Sequence, residues 1–336
     1  MGFPTFCYNQ LLVTPTVPTA SFGGQTAIIT GANTGLGLET ARHIARLGGS
    51  KVILAVRNLA AGEVAAKDIE RTTGCAPGTC EVWHLDLASA QSTLKFAERA
   101  KGLQRIDTLV LNAAVATKIF CLAEGGYERS VTVNTINHFL LALLLLPQAR
   151  KTGINHPNRP TPPHITVLTS QVHAWPDFPQ STDPRGIFAA LSDKTTARMD
   201  ERYPITKLLN VYFTQELVEQ LRTETGEVPV IINMLDTGFC HSELSRENRG
   251  IEEFGFNIFK AIFARREEVG ARTTVTAASA GVETHGRYMV NGLVADEALS
   301  ERVYNGEGRR IQKRLWGEFV DIVEGVKPGV TAEFML

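Results

Sequence analysis

The chain has 336 residues, of which 43 % are hydrophobic and 21 % are charged, with a formal net charge of −1 at pH 7. This ordinary globular balance provides no overall positive field that would attract nucleic acid or an anionic membrane surface. The five cysteines have no C-x-x-C spacing, which argues against a disulfide framework and a zinc site and predicts reduced thiols in a cytoplasmic protein.

The first 22 residues are predicted to be an N-terminal extension, since they lack the basic start and apolar core of a signal peptide. The longest apolar run, from Phe139 to Pro147, has nine residues. A bilayer span needs about 20 residues. We therefore expect a buried helix there and no membrane span.

Short apolar segments alternate with helical patterns through the first two thirds of the chain. Strands are predicted at 25–31, 51–57, 81–87, 107–114, 164–170 and 228–235, and helices at 37–47, 58–72, about 91–101, 128–150 and about 203–224. Nearly continuous apolar strands are typical of a sheet covered on both faces. The pattern predicts an α/β fold over residues 23–336: a single Rossmann-type, doubly wound parallel sheet with helices on both faces.

Three stretches interrupt this alternation and are predicted to be inserts. They lie near 151–163, 171–200 and 239–270. Beyond residue 236 the pattern weakens, although residues 253–281 could hold two helices and residues 308–326 a last one. Inserts at strand ends of such a sheet commonly shape the ligand site.

The segment TGANTGLG at 30–37 follows the first predicted strand and opens the first predicted helix. Its glycines would permit a tight turn and a close approach of the backbone to a pyrophosphate, which helix N-terminal N–H groups can bind. An ordinary glycine-rich turn is the alternative, but the strand before and the helix after favour nucleotide binding. The candidate cofactor-binding residues of this loop are Gly31, Asn33, Thr34, Gly35, Leu36 and Gly37.

Arg57 stands near the end of the second predicted strand, and no Asp or Glu occurs from Ala55 to Gly62. An acid near that position usually binds the ribose 2′-hydroxyl of NAD, whereas a guanidinium suits a 2′-phosphate. The sequence therefore favours NADP(H). The alternative is a solvated surface arginine.

Further along the chain stand Asp86-Leu87, LNAA at 111–114, VNTINHF at 133–139, Ser170, and Y-x-x-x-K at 203–207. Together with TGANTGLG, these motifs in this order resemble the short-chain dehydrogenase/reductase family over residues 23–326. Within the family, the phrases GANTGLGLETARHIA, FTQEL, GFCHSEL and LWGEF are most similar to the retinol-dehydrogenase-like and WW-domain-oxidoreductase-like branch, and more narrowly to fungal reductases of secondary metabolism. TGANTGLG looks like the family's TGxxxGxG loop. The other matching residues are Asp86 and Leu87, Asn112, Ala113 and Ala114 of LNAA, Asn134 of VNTINHF, Ser170, and Tyr203 with Lys207 of Y-x-x-x-K.

The resemblance implies a proton-transfer site. Tyr203 and Lys207 share a helix face at i and i+4, and Lys207 is expected to lower the pKa of the Tyr203 phenol and to bind the nicotinamide ribose. Alone, this spacing would more often be an exposed helix pair. Ser170 would hold the substrate oxygen, and Asn134 a proton-relay water.

The resemblance also implies the cofactor contacts. Asp86 and Leu87 would contact adenine, residues 112–114 would lie beside the cofactor, and Gly238 and Ser242 would lie at the nicotinamide end. The sequence departs from the family pattern at Ala114, which replaces a glycine, at Thr206, which replaces a serine, and at Thr237, which replaces a proline and follows Asp236.

We expect a small-molecule partner: a ketone or aldehyde on a medium-sized, largely apolar molecule, or the corresponding alcohol. The inserts carry the apolar residues that motivate this: Val172, Trp175, Phe178, Ile187, Phe188, Leu191, Phe254, Phe256, Ile258, Phe259, Ile262 and Phe263. These side chains could line a pocket, or could equally pack the inserts or form a subunit interface.

Several alternatives stay open. His173 and His241 are expected to be loop or supporting residues rather than acid or base catalysts, and no metal site is expected. The family suggests a homodimer or tetramer. The competing functional class is a cofactor-binding protein without redox turnover, such as an isomerase or a sensor.

Overall fold

A computed structural model describes residues 3–222, 226–241 and 260–335. Within these residues, eight strands form one sheet in the order β3-β2-β1-β4-β5-β6-β7-β8. The strands are β1 Thr26–Thr30, β2 Lys51–Val56, β3 Cys80–His84, β4 Thr108–Leu111, β5 His164–Leu168, β6 Ile231–Asp236, β7 Tyr288–Val290 and β8 Leu293–Val294.

Helices connect the strands and cover the sheet. They are α1 Phe3–Leu11, α2 Gly35–Arg46, α3 Leu59–Thr73, α4 Ala90–Lys101, α5 Arg129–Val131, α6 Asn137–Asn155, α7 Ile187–Leu191, α8 Arg202–Gln220, α9 Glu267–Ala277, α10 Glu301–Tyr304, α11 Gly306–Val326 and α12 Val330–Met335. A π-helical turn, Thr132–Ile136, joins α5 to α6.

The predicted α/β class and doubly wound sheet are confirmed, with one correction. β1 to β7 are parallel, but β8 pairs antiparallel with β7. Neither β7 nor β8 was predicted, because three and two residues are too few to show a strand period. An antiparallel edge strand on a parallel sheet is a common variation.

Alternation along the strands divides the interior into two cores. In β1, Ala27 and Ile29 pack in one core with residues of α2 and α3, whereas Ile28 packs in the other with residues of α4, α6, α8 and α11. Side chains point alternately to either side of a strand, so each face of the sheet contributes residues to its own core. Burial of both faces is what the near-continuous apolar strands predicted.

The apolar run beginning at Phe139 lies in a helical stretch that continues from Arg129 to Asn155 and has 27 residues. Its length and composition would allow it to cross a bilayer, but 94 % of the tested window is buried inside the protein. A core helix of a sheet protein accounts for this pattern.

The topology places a crevice at the centre of the sheet. The chain runs outward from β1 to β3 and then returns to β4, which pairs with β1 on its other side. In such sheets ligands bind at the carboxyl ends of the strands where the order reverses. The glycine loop after β1 and the segment after β4 therefore face each other across this crevice.

Candidate active site

The glycine loop is built for close backbone contacts. Gly31 and Gly35 have positive φ angles of 67° and 58°. A Cβ on Gly37 would lie 2.5 Å from both the Gly31 carbonyl oxygen and the Asn112 side-chain nitrogen. Only glycine therefore fits at position 37, and the left-handed backbone explains the other two glycines.

The N-terminus of α2 is open toward the crevice. Thr34 occupies the N-cap position without a side-chain capping hydrogen bond, and a Cβ on Gly35 would meet nothing within 4 Å. The first N–H groups of a helix have no partner within that helix, and they favour an anion. The loop therefore fits a cofactor pyrophosphate.

Thr30 braces this loop against the segment after β4. Its hydroxyl oxygen accepts hydrogen bonds from the backbone N–H groups of Asn112 and Ala113, each at 2.9 Å, and lies 2.9 Å from Nε2 of His138. The Asn112 side chain donates to the Thr30 carbonyl at 2.7 Å. Burial lowers the pKa of His138 to about 3, so this histidine is neutral at physiological pH.

Neither Thr30 nor His138 was among the predicted site residues. Both lie inside motifs that the sequence displays, since Thr30 opens TGANTGLG and His138 belongs to VNTINHF. Their hydroxyl and imidazole groups were recognisable as polar groups at predicted strand and helix positions. Only the fold shows that they meet.

The predicted adenine-end residues follow β3, the strand next to β2. The Asp86 N–H donates to the Ser92 hydroxyl at 2.9 Å, and an Asp86 carboxylate oxygen accepts from the Ala88 N–H at 2.9 Å. Leu87 is buried, and its carbonyl accepts a hydrogen bond from the Asn137 side chain at 2.8 Å. The turn is thereby held rigidly beside the end of β2.

Arg57 directly follows β2 and is exposed. Its guanidinium has no hydrogen bond or ion pair with any residue in the described ranges. An exposed guanidinium at this strand end has its donors available for a phosphate.

Lys207 and Tyr203 lie on the same face of α8. The Lys207 ammonium nitrogen donates to the Leu168 carbonyl at 2.7 Å and lies 5.5 Å from the Tyr203 ring centroid. Leu168 ends β5, and Ser170 follows two residues later as the N-cap of a 3-10 turn that packs against α8. Thus the fold brings Tyr203, Lys207 and Ser170 to one edge of the sheet.

His173 supports this turn. Its Nδ1 donates to the Ser170 carbonyl at 2.7 Å, and its Nε2 accepts from the Ser300 N–H at 3.1 Å. Burial lowers its pKa, consistent with a neutral ring in that tautomer. This agrees with the expected supporting role. His241 pairs through its backbone with the carbonyl of Arg265.

The expected lowering of the Tyr203 pKa by Lys207 is wrong for this arrangement. Burial first, and the Asp236 carboxylate second, raise the pKa of Tyr203 above its usual value of about 10. Burial also lowers the pKa of Lys207 to about 8, which leaves the ammonium mostly protonated at neutral pH. Because its own pKa is raised, the phenol of Tyr203 is protonated at neutral pH.

Asn134 lies in the π-helical turn that separates α5 from α6. Its amide oxygen accepts from the Val115 N–H at 2.8 Å, and its amide nitrogen donates to the Val115 carbonyl at 2.9 Å and the Thr206 hydroxyl at 3.0 Å. The side chain thus joins the segment after β4 to α8. A π-helical turn inside a helix frequently marks a functional site.

The loop after β6 lies at the same edge. Asp236 is buried at the strand end, and its carboxylate accepts from the Gly238 N–H at 2.9 Å. Gly238 has a φ angle of 74°, and Cys240 is buried. Ser242, the other predicted nicotinamide-end residue, lies outside the described residues.

A buried ion pair links the two helices that carry the candidate residues. Nε of Arg202 lies 3.2 Å from a Glu128 carboxylate oxygen, and both side chains are fully buried. Glu128 also caps α5 by accepting from the N–H groups of Ser130 and Val131 at 3.0 and 3.2 Å. This pair, which sequence reasoning missed, connects the start of α8 to the helix that leads into Asn134.

The apolar residues of the second insert divide between the two expected roles. Phe178, Ile187, Phe188 and Leu191 are buried in the main core, so they pack the insert onto the domain. Trp175 is 68 % exposed, one residue beyond the turn that Ser170 begins.

In the third insert, Ile262 is exposed, and the Phe263 ring packs against Phe6 at 5.8 Å between centroids. Phe254, Phe256, Ile258 and Phe259 lie outside the described residues.

Comparison with known proteins gives a family-model match to short chain dehydrogenase over residues 25–154. The chain is 43 % identical over 333 residues to the short chain dehydrogenase/reductase dmxR8 of Cryptosporiopsis sp., covering 98 % of this chain and 99 % of that protein. It is 39 % identical over 332 residues to the short-chain dehydrogenase anuD of Penicillium roqueforti, covering 98 % and 85 %.

Solved structures share the fold. An uncharacterized protein from Mycobacterium paratuberculosis has a TM-score of 0.67 at 26 % identity, covering 93 % of this chain and 98 % of that one. A Brucella melitensis 3-ketoacyl-(acyl-carrier-protein) reductase, complexed with NADH, has a TM-score of 0.57 at 19 % identity, covering 80 % and 97 %. With the geometry above and relatives this similar along almost its whole length, the chain belongs to the short-chain dehydrogenase/reductase family, whose fold binds a nicotinamide cofactor.

Proposed function

We propose that the protein is an NADP(H)-dependent oxidoreductase that reduces a ketone or aldehyde of a medium-sized apolar metabolite to an alcohol, or catalyses the reverse reaction. The observation that carries the proposal is the meeting of Tyr203, Lys207 and the Ser170 turn at one edge of the sheet, across the crevice from the open N-terminus of α2. This arrangement joins an anion-binding loop to a proton donor.

The bound cofactor would supply the hydride for reduction. The residues that fit the cofactor are the glycine loop, for the pyrophosphate, and Lys207, for the nicotinamide ribose. The Tyr203 hydroxyl would donate a proton to the substrate carbonyl oxygen, which the Ser170 hydroxyl would hold in place. The raised pKa of Tyr203 keeps the phenol protonated at neutral pH, which is the form that carbonyl reduction needs.

Asn134 has no ionisable group, so it would contribute by holding neighbouring groups in place rather than by exchanging a proton. Its amide ties the segment after β4 to Thr206, which lies between Tyr203 and Lys207 in α8. The π-helical turn interrupts the regular helical hydrogen-bond pattern around it. We propose that the turn holds a water molecule through which a proton returns to Tyr203 after Tyr203 has donated its own to the substrate.

Adding NADPH and a panel of ketones and aldehydes to the purified protein, and following NADPH absorbance with product analysis, tests this proposal. Oxidation of NADPH that depends on a carbonyl compound and yields the matching alcohol supports it. Binding of NADPH without turnover of any panel member would instead favour the non-redox class.

Cofactor choice gives a separate prediction. We expect Arg57→Ala to weaken NADPH binding about ten-fold to a hundred-fold, since a charge-assisted contact contributes roughly 1.5–3 kcal/mol, and to leave NADH binding nearly unchanged. Calorimetry with both cofactors measures this. Arg310→Ala is the control, because that arginine is exposed on α11 and bonds the Gly306 carbonyl of its own helix. If the wild type bound both cofactors with equal affinity, and Arg57→Ala did not change either affinity, Arg57 would not be a determinant of NADPH binding.

Substrate size gives another prediction. The exposed indole of Trp175 lies beside the Ser170 turn, where it could contact a bulky substrate. Trp175→Ala should change the ratio of kcat/KM for a bulky and a small ketone, at little cost in melting temperature.

Phe188→Ala is the contrasting variant for this prediction. It removes a fully buried ring and should cost about 3–5 kcal/mol of stability while leaving the selectivity ratio of the folded enzyme unchanged. An unchanged ratio in Trp175→Ala would contradict a role of this side chain in substrate selection.

A further inference from the structure

The N-terminal helix α1 lies on the loop that follows β6. Gln10, near the end of α1, is 7 % exposed. Its amide nitrogen donates to the Phe239 carbonyl, and its amide oxygen accepts from the Phe239 N–H at 3.2 Å. One side chain therefore satisfies both backbone groups of Phe239, although 229 positions separate the two residues in the chain.

Arg265 secures the same contact from the other side. Its backbone N–H donates to the Phe239 carbonyl at 2.8 Å. Its buried guanidinium donates to the carbonyls of Asn9 and Val13, the latter at 2.9 Å, and to the Asn291 side chain at 2.8 Å. The carbonyls at the end of α1 and just beyond it are thus fixed by a charged group of the domain.

The N-terminal segment meets the loop at its glycine. A Cβ on Gly238 would lie 2.9 Å from the Gln10 amide oxygen and 3.0 Å from a guanidinium nitrogen of Arg265. Phe6, Asn9 and Gln10 line a small cavity together with Asp236, Gly238 and Gln171, the residue after Ser170. Helix α1 is therefore adjacent to the edge of the sheet where Ser170 and Tyr203 lie.

The loop itself has little intrinsic restraint. Thr237 leaves φ free where a proline would lock it, and Gly238 has the most permissive backbone of any residue. The carboxylate of Asp236 holds one end of the loop, and Gln10 with Arg265 holds the other. Within the loop, the Thr237 hydroxyl donates to the Gly238 carbonyl at 3.3 Å and the Cys240 thiol donates to the Thr237 carbonyl at 3.5 Å, so the shorter bonds from outside the loop supply most of its restraint.

We propose that Gln10 is a positioning residue for the nicotinamide end of the cofactor site, acting by fixing the backbone of Thr237–Cys240. The N-terminal segment would then contribute to cofactor binding by fixing this loop. This inference rests on the proposed function and on the expectation from the sequence that Gly238 lies at the nicotinamide end of the cofactor.

The test compares Gln10→Ala, Gln10→Glu and Gln104→Ala with the wild type, using calorimetric NADP⁺ affinity and melting temperature. Gln104 is an exposed glutamine before β4, at the opposite end of the strands. Gln10→Ala loses two hydrogen bonds to the loop and is expected to weaken NADP⁺ binding about ten-fold. Hydrogen exchange at the Phe239 amide should become faster in Gln10→Ala, and Gln104→Ala should match the wild type.

Gln10→Glu provides a readout that a purely structural role would not move. Its carboxylate accepts from the Phe239 N–H but cannot donate to the Phe239 carbonyl, so NADP⁺ binding should be weak at neutral pH. Because protonation restores a donor, the affinity relative to wild type should recover as the pH falls through the pKa of the new carboxyl group, which the neighbouring Arg265 guanidinium lowers and which burial and the nearby Asp236 carboxylate raise. Gln10→Ala, measured in parallel, should show no such recovery.

Two results would overturn the inference. The first is an NADP⁺ affinity in Gln10→Ala within two-fold of wild type, whatever the melting temperature. The second is an affinity of Gln10→Glu that stays in constant ratio to wild type across the pH range, which decides the matter even if Gln10→Ala fails to fold. A wild type that binds neither NADP⁺ nor NAD⁺ would overturn the proposed function as well, so the two failures are distinguishable.

Discussion

Tyr203→Phe is expected to lower kcat by about 10²- to 10⁴-fold, the usual contribution of a general acid, while the dissociation constant for NADPH stays close to wild type. Phenylalanine retains the ring that packs beside Lys207 and removes only the hydroxyl that would donate the proton. Steady-state kinetics with an accepted ketone, together with calorimetry for NADPH, measure the two effects separately.

Two variants sharpen this experiment. Tyr304→Phe removes a hydroxyl from a half-exposed tyrosine of α10 and should leave kcat unchanged. Lys207→Ala should lower both turnover and cofactor affinity, because one ammonium is proposed to serve both. A Tyr203→Phe enzyme that kept more than about a third of the wild-type rate would fall far outside the general-acid range and refute the assignment.

Glu128→Ala is expected to destabilise the fold by about 3–5 kcal/mol, because it leaves the Arg202 guanidinium charged and unpaired in the core. The substitution also removes the cap of α5, and capping losses add to the cost. Denaturant unfolding followed by circular dichroism gives the change in the free energy of unfolding.

The control is Glu98→Ala, which breaks an ion pair with Lys101 at 2.9 Å in which Glu98 is 65 % exposed. Surface pairs of this kind contribute about 0–1 kcal/mol. Combining Glu128→Ala with Arg202→Met should restore part of the lost stability, since the uncompensated charge is then gone. Equal losses in Glu128→Ala and Glu98→Ala would show that the buried pair has no special role.

The parts of the fold that could be predicted are those that depend on residues close together in the sequence. Each strand up to β6 has its own apolar run, and the glycine loop combines a tight turn with a helix start inside eight residues. Such features depend on near neighbours, so the sequence pattern indicates them directly. By contrast, β7 and β8 exist because β6 offers them an edge to pair with, and their own length is too short to signal a strand.

The candidate site shows the same division. Its residue types and order could be read from motifs, but the contacts between distant segments could not. Asp236 reaches the electrostatic environment of Tyr203 only through the alignment of β6 with β5. Burial first, and this carboxylate second, therefore keep the phenol more protonated than its pairing with Lys207 suggested. Gln10 on Phe239 and Glu128 on Arg202 likewise depend on tertiary structure alone.

The most direct test of the account is to follow one hydrogen from cofactor to product. NADPH deuterated at both hydrogens of the nicotinamide C4 atom, so that transfer from either face carries the label, would be incubated with the wild-type protein and an accepted ketone, and the alcohol analysed by mass spectrometry and NMR. Hydride transfer from the cofactor predicts one deuterium at the carbinol carbon of the alcohol, and loss of that product in Tyr203→Phe despite bound NADPH. Alcohol without deuterium, or a bound cofactor that is never oxidised with any carbonyl compound, would contradict the assignment of this chain as a hydride-transferring reductase.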